Sequence, residues 1–137
     1  MILRSCNLGD CVLMDQWDPN GEMWVGDKLE WLTKRMSDSV HHRLYVGEIG
    51  LPSQPVAWGQ IKLEFEYCTL AWFVAPIYRS AGFGARMGQL LALMCAGRSI
   101  RARINANRPY SERIAISLGM VPEGGLLETG EKWWVRR

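Results

Sequence analysis

The stretch from Pro76 to Gly97, PIYRSAGFGARMGQLLALMCAG, holds the residues best suited to chemistry. Arg79, Gly82 and Gly84 fall where a strand should end and a helix begin. A helix N-terminus carries unpaired backbone N–H groups and a partial positive charge, so it suits an anion. Glycines let ligand oxygens approach the backbone with no Cβ in the way. An arginine beside them adds a permanent charge and a forked donor. Residue types alone therefore point to a phosphate or pyrophosphate seat. The competing reading is a tight structural turn whose glycines only permit close packing. The string is not a P-loop, because G-x-x-x-x-G-K-[ST] is absent. It is a poor dinucleotide fingerprint as well: Gly82 and Gly84 fit G-x-G-x-x-G, but position 87 is Met and Gly88 gives only a looser spacing.

The elements that must position this loop follow from periodicity and punctuation. MILRS reads as a first strand, and Asn7 as the cap of a short helix through Leu13 and Met14. DPNG at 18–21 is a turn. Asp27 to Met36 is a second helix, with Asp27 and Glu30 at capping-box spacing and Leu29, Leu32 and Met36 on one face. HRLYVGEI is a strand and GLPSQP a loop. VAWGQIKLEF and YCTLAWFVA have little between them, so they form an antiparallel hairpin around Glu64 to Glu66. Helix follows from about Gly82 to Ala96. SIRARINA alternates like a strand, and YSERIAISLG is a short helix ended by Gly119. LLETGEKWWVRR supplies a closing hairpin with its turn at Thr129–Gly130. About seven strands and four helices result, in one domain spanning 1–137, an α/β chain of mixed α+β character.

Composition excludes several classes. With 48% hydrophobic and 22% charged residues this is the make-up of a soluble globular protein. A net charge of +2 with no long basic run argues against nucleic acid as a partner. The N-terminal apolar run is too short for a signal peptide, and no stretch is long enough to span a membrane, so the expectation is a cytoplasmic protein. Cys6, Cys11, Cys68 and Cys95 are scattered without a C-x-x-C pair, which reads as reduced thiols. His41 and His42 are adjacent and point to opposite faces of any strand, so no metal site is expected.

VAPIYRSAGFGARMGQLL resembles the acetyl-CoA-binding motif of the GNAT superfamily of N-acetyltransferases. Val74, Pro76, Arg79, Gly82 and Gly84 match its V-x-P followed by [Q/R]-x-x-G-x-[G/A], and the order of elements along nearly the whole chain is similar. YSERIAISLGM is similar to the family's second motif, with Met120 in place of Phe. The resemblance implies a central, mostly antiparallel seven-stranded sheet flanked by about four helices. It implies that strand 67–75 parts from a parallel strand 99–106. Acetyl-CoA then lies in the gap against Phe73, Val74 and Ala75, with its pyrophosphate on Arg79, Ser80, Ala81, Gly82, Phe83, Gly84 and Ala85. Asn107 is a further cofactor contact. A backbone N–H near Phe73 would polarise the thioester. The acetyl group passes directly to a primary amine, of a small molecule or a protein.

For proton transfer the candidates are Glu64 and Glu66 as base, and Tyr110 as acid. The family often has a Tyr where this chain has Ala115, and Cys68 falls about where several members carry their base. Solvated hairpin residues are the plainer reading of the two glutamates, and a small buried thiol that of Cys68. The alternative to an enzyme is a non-catalytic binding or structural module on the same fold. Trp17, Trp24 and Trp31 read as core or as an aromatic wall for the acceptor, and Trp58 and Trp72 as core. Trp133 and Trp134 alternate, so one points outward or into a homodimer contact.

Overall fold

The computed structural model describes residues 1–137. Seven strands form one sheet: β1 (Ile2–Ser5), β2 (His42–Ile49), β3 (Gln54–Leu63), β4 (Tyr67–Val74), β5 (Ser99–Asn105), β6 (Val121–Glu123) and β7 (Glu131–Arg136). Their spatial order is β1-β2-β3-β4-β5-β7-β6. All neighbours are antiparallel except β4 and β5, which run parallel. The parallel pair needs a crossover, and α3 (Phe83–Met94) supplies it. The other helices are α1 (Cys11–Trp17), α2 (Lys28–Ser37) and α4 (Pro109–Ser117).

Strand β4 is mostly apolar because both its faces are covered over its second half. Cys68, Leu70, Trp72 and Val74 belong to the larger core, with Met87 and Leu91 of α3, Ile114 of α4 and Leu118 at its C-terminal end. Ala71 and Phe73 face the other way, into a smaller core with Met14 of α1 and Leu32 of α2. There Trp24 meets Trp58 edge-on at 5.2 Å and lies 5.0 Å from Phe73. These two indoles are core. Trp31 packs at 5.8 Å from Trp58 and is half-buried. Trp134 is buried and Trp133 faces outward on the opposite side of β7.

Two carboxylates pin the connections on the α1–α2 face. Asp10 accepts two hydrogen bonds from Arg4, at 2.8 and 2.7 Å, and one from the Asn7 N–H. Asn7 and Asp10 form the capping box of the helical turn that leads into α1. Asp18, only 5% exposed, accepts from the N–H groups of Glu22, Met23 and Trp24. The DPNG turn is therefore a carboxylate-centred loop, which fixes Trp24 in the core. Asp27 caps α2 by accepting from the Glu30 N–H at 2.8 Å.

One expected element lies elsewhere. The partner of the last strand is β6 at Val121–Glu123, paired as Val121↔Val135 to Glu123↔Trp133. It is not the segment just before Thr129. Residues 127–130 do turn, with Gly130 N–H on Leu127 O, but this turn lies inside a longer loop. Pro122 can occupy β6 because that strand is the sheet edge. No helix is long and apolar enough to cross a membrane.

The hydrogen-bonded carboxylates set the response to acid. Burial works to raise Asp10, Asp18 and Glu64, but hydrogen bonds from Arg4, from the loop N–H groups and from Arg101 outweigh it and hold all three below the usual range. The stability that such groups lend is complete above the unfolded carboxylate range near about pH 4. It is lost as the pH falls through the lowered native values. Denaturant midpoints should be flat from about pH 8 to about pH 5 and drop below about pH 4. A midpoint that rises on acidification would contradict these assignments.

Candidate active site

The parallel pair of strands is short. It joins Tyr67 to Ser99, Cys68 to Ile100 and Thr69 to Arg101, and then the strands part. Each stays paired on its other edge, β4 with β3 as far as Val74 and β5 with β7 from Ile100 to Asn105. The antiparallel ladder decides which β4 groups look into the gap. Glu64 N–H donates to Tyr67 O at one end, and Ala75 N–H to Val56 O at the other. Alternation between these anchors assigns the backbone of Phe73 to Trp58 and leaves Trp72 and Val74 facing the gap. The expected free groups at Phe73 and Ala75 are thus corrected. Of the three residues expected there only Val74 is open, and Trp72 is the one the sequence did not reveal.

The loop at the mouth of the gap is rich in free donors. The helical turn Pro76–Tyr78 uses the Tyr78 and Arg79 N–H groups on Ala75 and Pro76 carbonyls. The next backbone bond is Arg86 N–H to Gly82 O at 3.1 Å. The N–H groups of Ser80, Ala81, Gly82, Phe83, Gly84 and Ala85 therefore donate to nothing in the protein. Ser80 at φ +67° and Gly82 at φ +84° turn the chain sharply within this run of free N–H groups, a combination suited to an anion.

The two glycines do different work. Around Gly82 there is open space, and its left-handed backbone is what requires glycine. Gly84 is buried: a Cβ there would lie 2.6 Å from Ile114 Cδ1 and 3.3 Å from Val74 Cγ2. Gly84 thus lets α4 pack on the backbone of α3, and so does Gly88, a turn later, against Ile114 and Leu118. The packing reading thus holds for Gly84, while Gly82 is fixed by its backbone conformation.

Arg79 spans the mouth. Its Nε donates to Val74 O at 3.2 Å, and its guanidinium carbon lies 5.1 Å from the Phe73 ring and 5.9 Å from the Tyr110 ring. Tyr110 is half-buried, and its hydroxyl accepts from Arg108 Nη1 at 3.3 Å. Asn107 is exposed in the turn before α4, its N–H held by Asn105 Oδ1 at 2.9 Å. A cavity of about 210 Å³ lies between the loop after α1 and Phe73, Arg79 and Arg108. A larger one, about 280 Å³, sits beside Ser5, Cys6 and His42, away from the gap. Burial pushes the Cys6 thiol up to about 12, so that cavity offers no nucleophile.

The three candidate proton-transfer residues do not converge. Glu64 sits where the gap closes. It accepts from Thr69 Oγ1 at 3.3 Å, pairs with Lys62 at 3.2 Å and is bound by Arg101. A carboxylate held below its usual range by two cations is a weak base. Glu66 is exposed in the β3–β4 turn with no ion pair. Tyr110 stands at the other end, by Arg79. Cys68 is fully buried on the α3 side and faces away from Phe73. Arg101, Arg103 and Trp133 flank the gap on the Phe73 side, and no local motif marks them. Only the alternation of SIRARINA puts Arg101 and Arg103 on one face.

Substitution separates the glycine roles. Gly84→Ala should cost about 1–3 kcal/mol in denaturant unfolding, because the methyl overpacks Ile114. Gly82→Asn should cost about 1 kcal/mol or less, since Asn tolerates the left-handed region and meets no neighbour. Equal costs at the two positions would contradict the assignment.

No family model and no curated protein sequence matches the chain. Solved structures do. The spermidine N-acetyltransferase SpeG of Vibrio cholerae in complex with CoA and spermine aligns at TM-score 0.78 and 17% identity, over 98% of this chain and 92% of that one. A domain from Methanocaldococcus jannaschii aligns at TM-score 0.80 and 15% identity, over 98% and 96%. The structure of yncA of Salmonella typhimurium, a putative acetyltransferase with acetyl-CoA, aligns at 0.72 and 16%, over 98% and 91%. The seven-stranded order, the single parallel pair and the gap it opens give this chain the fold of the GNAT N-acetyltransferases.

Proposed function

We propose that this protein is an N-acetyltransferase that moves the acetyl group of acetyl-CoA directly to a primary amine. The observation that carries the reading is the run of six free N–H groups, Ser80 to Ala85, at the mouth of the β4–β5 gap. Four of the six open a helix, as at any helix N-terminus, and the left-handed Ser80 and Gly82 with Arg79 beside them make this one suited to a pyrophosphate. Acetyl-CoA supplies an acetyl group already activated as a thioester. The N–H groups of Ser80 to Ala85 receive the pyrophosphate, and Arg79 adds its charge. The backbone edges of Trp72 and Val74 pair with the pantetheine amides as an added strand would. Arg79 lies across Val74 O, so its side chain turns outward toward the phosphates as the gap fills. An N–H of this edge, at Trp72, polarises the thioester carbonyl where negative charge develops.

The acceptor enters from the Phe73 side. Its nitrogen forms the new C–N bond, the C–S bond breaks, and the sulfur leaves as a thiolate. Glu64 is spent on Arg101 and Lys62, so the amine gives its proton to water rather than to that carboxylate. Position and a polarised carbonyl do most of the work. Tyr110, half-buried beside Arg79, is the side chain to which this reading gives the protonation of the thiolate. The acceptor is a small-molecule or protein amine. Three of the four free cysteines are buried, and burial pushes Cys95 up to about 12, which suits a reducing cytoplasm without depending on it.

Calorimetry with acetyl-CoA tests the seat. The native chain should bind with micromolar affinity. Gly82→Asp, which sets a carboxylate among the free N–H groups without filling packed space, should weaken binding about tenfold or more. Gly82→Asn, its neutral counterpart, should bind nearly as the native chain does. Unchanged affinity in Gly82→Asp would refute the assignment.

Glu64 has its own test. If it only braces Arg101, Glu64→Gln changes the rate of acetyl transfer by about threefold or less, with no change in the shape of its pH profile. A true base would lose about 10²-fold, with partial recovery at high pH.

A further inference from the structure

The acetyltransferase reading leaves the acceptor open, and the Phe73 side of the gap narrows it. Register fixes the side chains there. Thr69 lies beside Arg101 in the parallel pair, and Arg101 Nε donates to Thr69 Oγ1 at 3.2 Å. Arg101, Arg103 and Asn105 therefore share a face with Thr69, Ala71 and Phe73, while Ile100, Ala102 and Ile104 turn to the other core. On the parted stretch, the floor of the acceptor side is Ala71 and Phe73 from β4 with Arg103 and Asn105 from β5.

Arg103 is the one charged side chain of that floor, and it is exposed with no ion pair. Its guanidinium carbon lies 5.6 Å from the ring of Trp133, the residue opposite it on β7. Arg101 is closer to the same ring, at 4.3 Å, but its charge is paired with Glu64 and its Nε donates to Thr69. Most acids around the site are engaged: Glu64 has Arg101 and Lys62, Asp18 has three N–H groups, and Glu22 has Arg108 at 3.5 Å. Glu131, opposite Asn105 on β7, accepts from the Thr129 hydroxyl at 3.0 Å and pairs with no cation. On the β4–β5 floor itself a polycationic acceptor would meet an unpaired arginine and no carboxylate. An arginine laid near an indole keeps its planar fork open for a planar or tetrahedral anion.

We infer that the acceptor amine carries an anionic group, and that this group docks on Arg103 beside Trp133 while the amine reaches the gap at Ala71 and Phe73. The proposal rests on the acetyltransferase reading and goes beyond it by fixing the charge of the acceptor. Arg103 acts as a specificity residue, since a charge-assisted fork holds the anion in place.

The full chain with acetyl-CoA is assayed for thiol release on matched acceptors. These are β-alanine against β-alaninamide, glycylglycine against its amide, and phosphoethanolamine against ethanolamine, with spermidine alongside. The anionic member should lead its neutral partner by about tenfold in kcat/KM, and the phosphoethanolamine arm tells phosphate from carboxylate. Arg103→Gln should bring the ratio close to one and Arg103→Lys should restore part of it. Acetyl-CoA affinity by calorimetry should stay unchanged in both. Equal rates within every pair, or spermidine ahead of all, would overturn the anionic acceptor and leave the acetyltransferase reading standing. No release from any of these amines would overturn it as well, and calorimetric binding of acetyl-CoA then shows whether the cofactor seat survives.

Discussion

The structure turns on two strands that run parallel and pair for only three residue pairs before they part. Each is held on its far side by an antiparallel partner, and the sheet's twist carries those partners away from one another. Past Thr69 and Arg101 neither strand can follow the other. A gap in the middle of a sheet exposes backbone groups that would otherwise be paired, and unpaired backbone groups are costly when shielded from water. Trp72 and Val74 bear that cost. Arg79 relieves part of it by donating to Val74 O. A ligand that brings amides of its own relieves it further, which is why the gap reads as a site and not as a defect.

The loop at the mouth depends on the helices behind it. α4 comes close to α3 only because Gly84 and Gly88 have no side chains, and Ile114 and Leu118 fill the space. This contact holds the first turn of α3 against Val74, so the free N–H groups sit at the end of the parted strand. Ser80 and Gly82 then supply the two left-handed residues that turn the backbone just before the helix. The free N–H groups and the core packing thus share a few residues. On the other face, Asp18 fastens the loop that leads to Trp24, and Trp24 supports Phe73 from behind.

What the sequence disclosed was local. The Arg79–Gly84 string, the helix after it, the Asp27 cap and the β3–β4 hairpin depend on neighbours a few residues apart, and the structure has them where spacing puts them. What it hid depends on register or on distant partners. Phe73 and Val74 look equivalent in sequence, and only the pairing of β3 with β4 tells which backbone faces the gap. Gly84 looks like a phosphate glycine until Ile114, thirty residues on, is seen against it. Glu64 looks free until Arg101 is brought alongside. β6 is three exposed residues with a proline, too short and too polar to announce itself beside the stronger pattern of LLETGEKWWVRR. Asp18 sits in a turn composition that many surface loops share, and nothing in DPNG says that its carboxylate is buried.

The central claim is that one continuous surface, from the Trp72 and Val74 edge to the Ser80–Ala85 loop, receives the cofactor. Titrating coenzyme A into the ¹⁵N-labelled chain and following backbone amide shifts tests it most directly. The account predicts the largest shifts at Trp72, Val74 and the six amides from Ser80 to Ala85, with Phe73 and Ala75 moving less because their N–H groups stay on β3. Shifts centred elsewhere, such as around Ser5 and His42, or strong perturbation of Phe73 with Trp72 and Val74 unmoved, would contradict it.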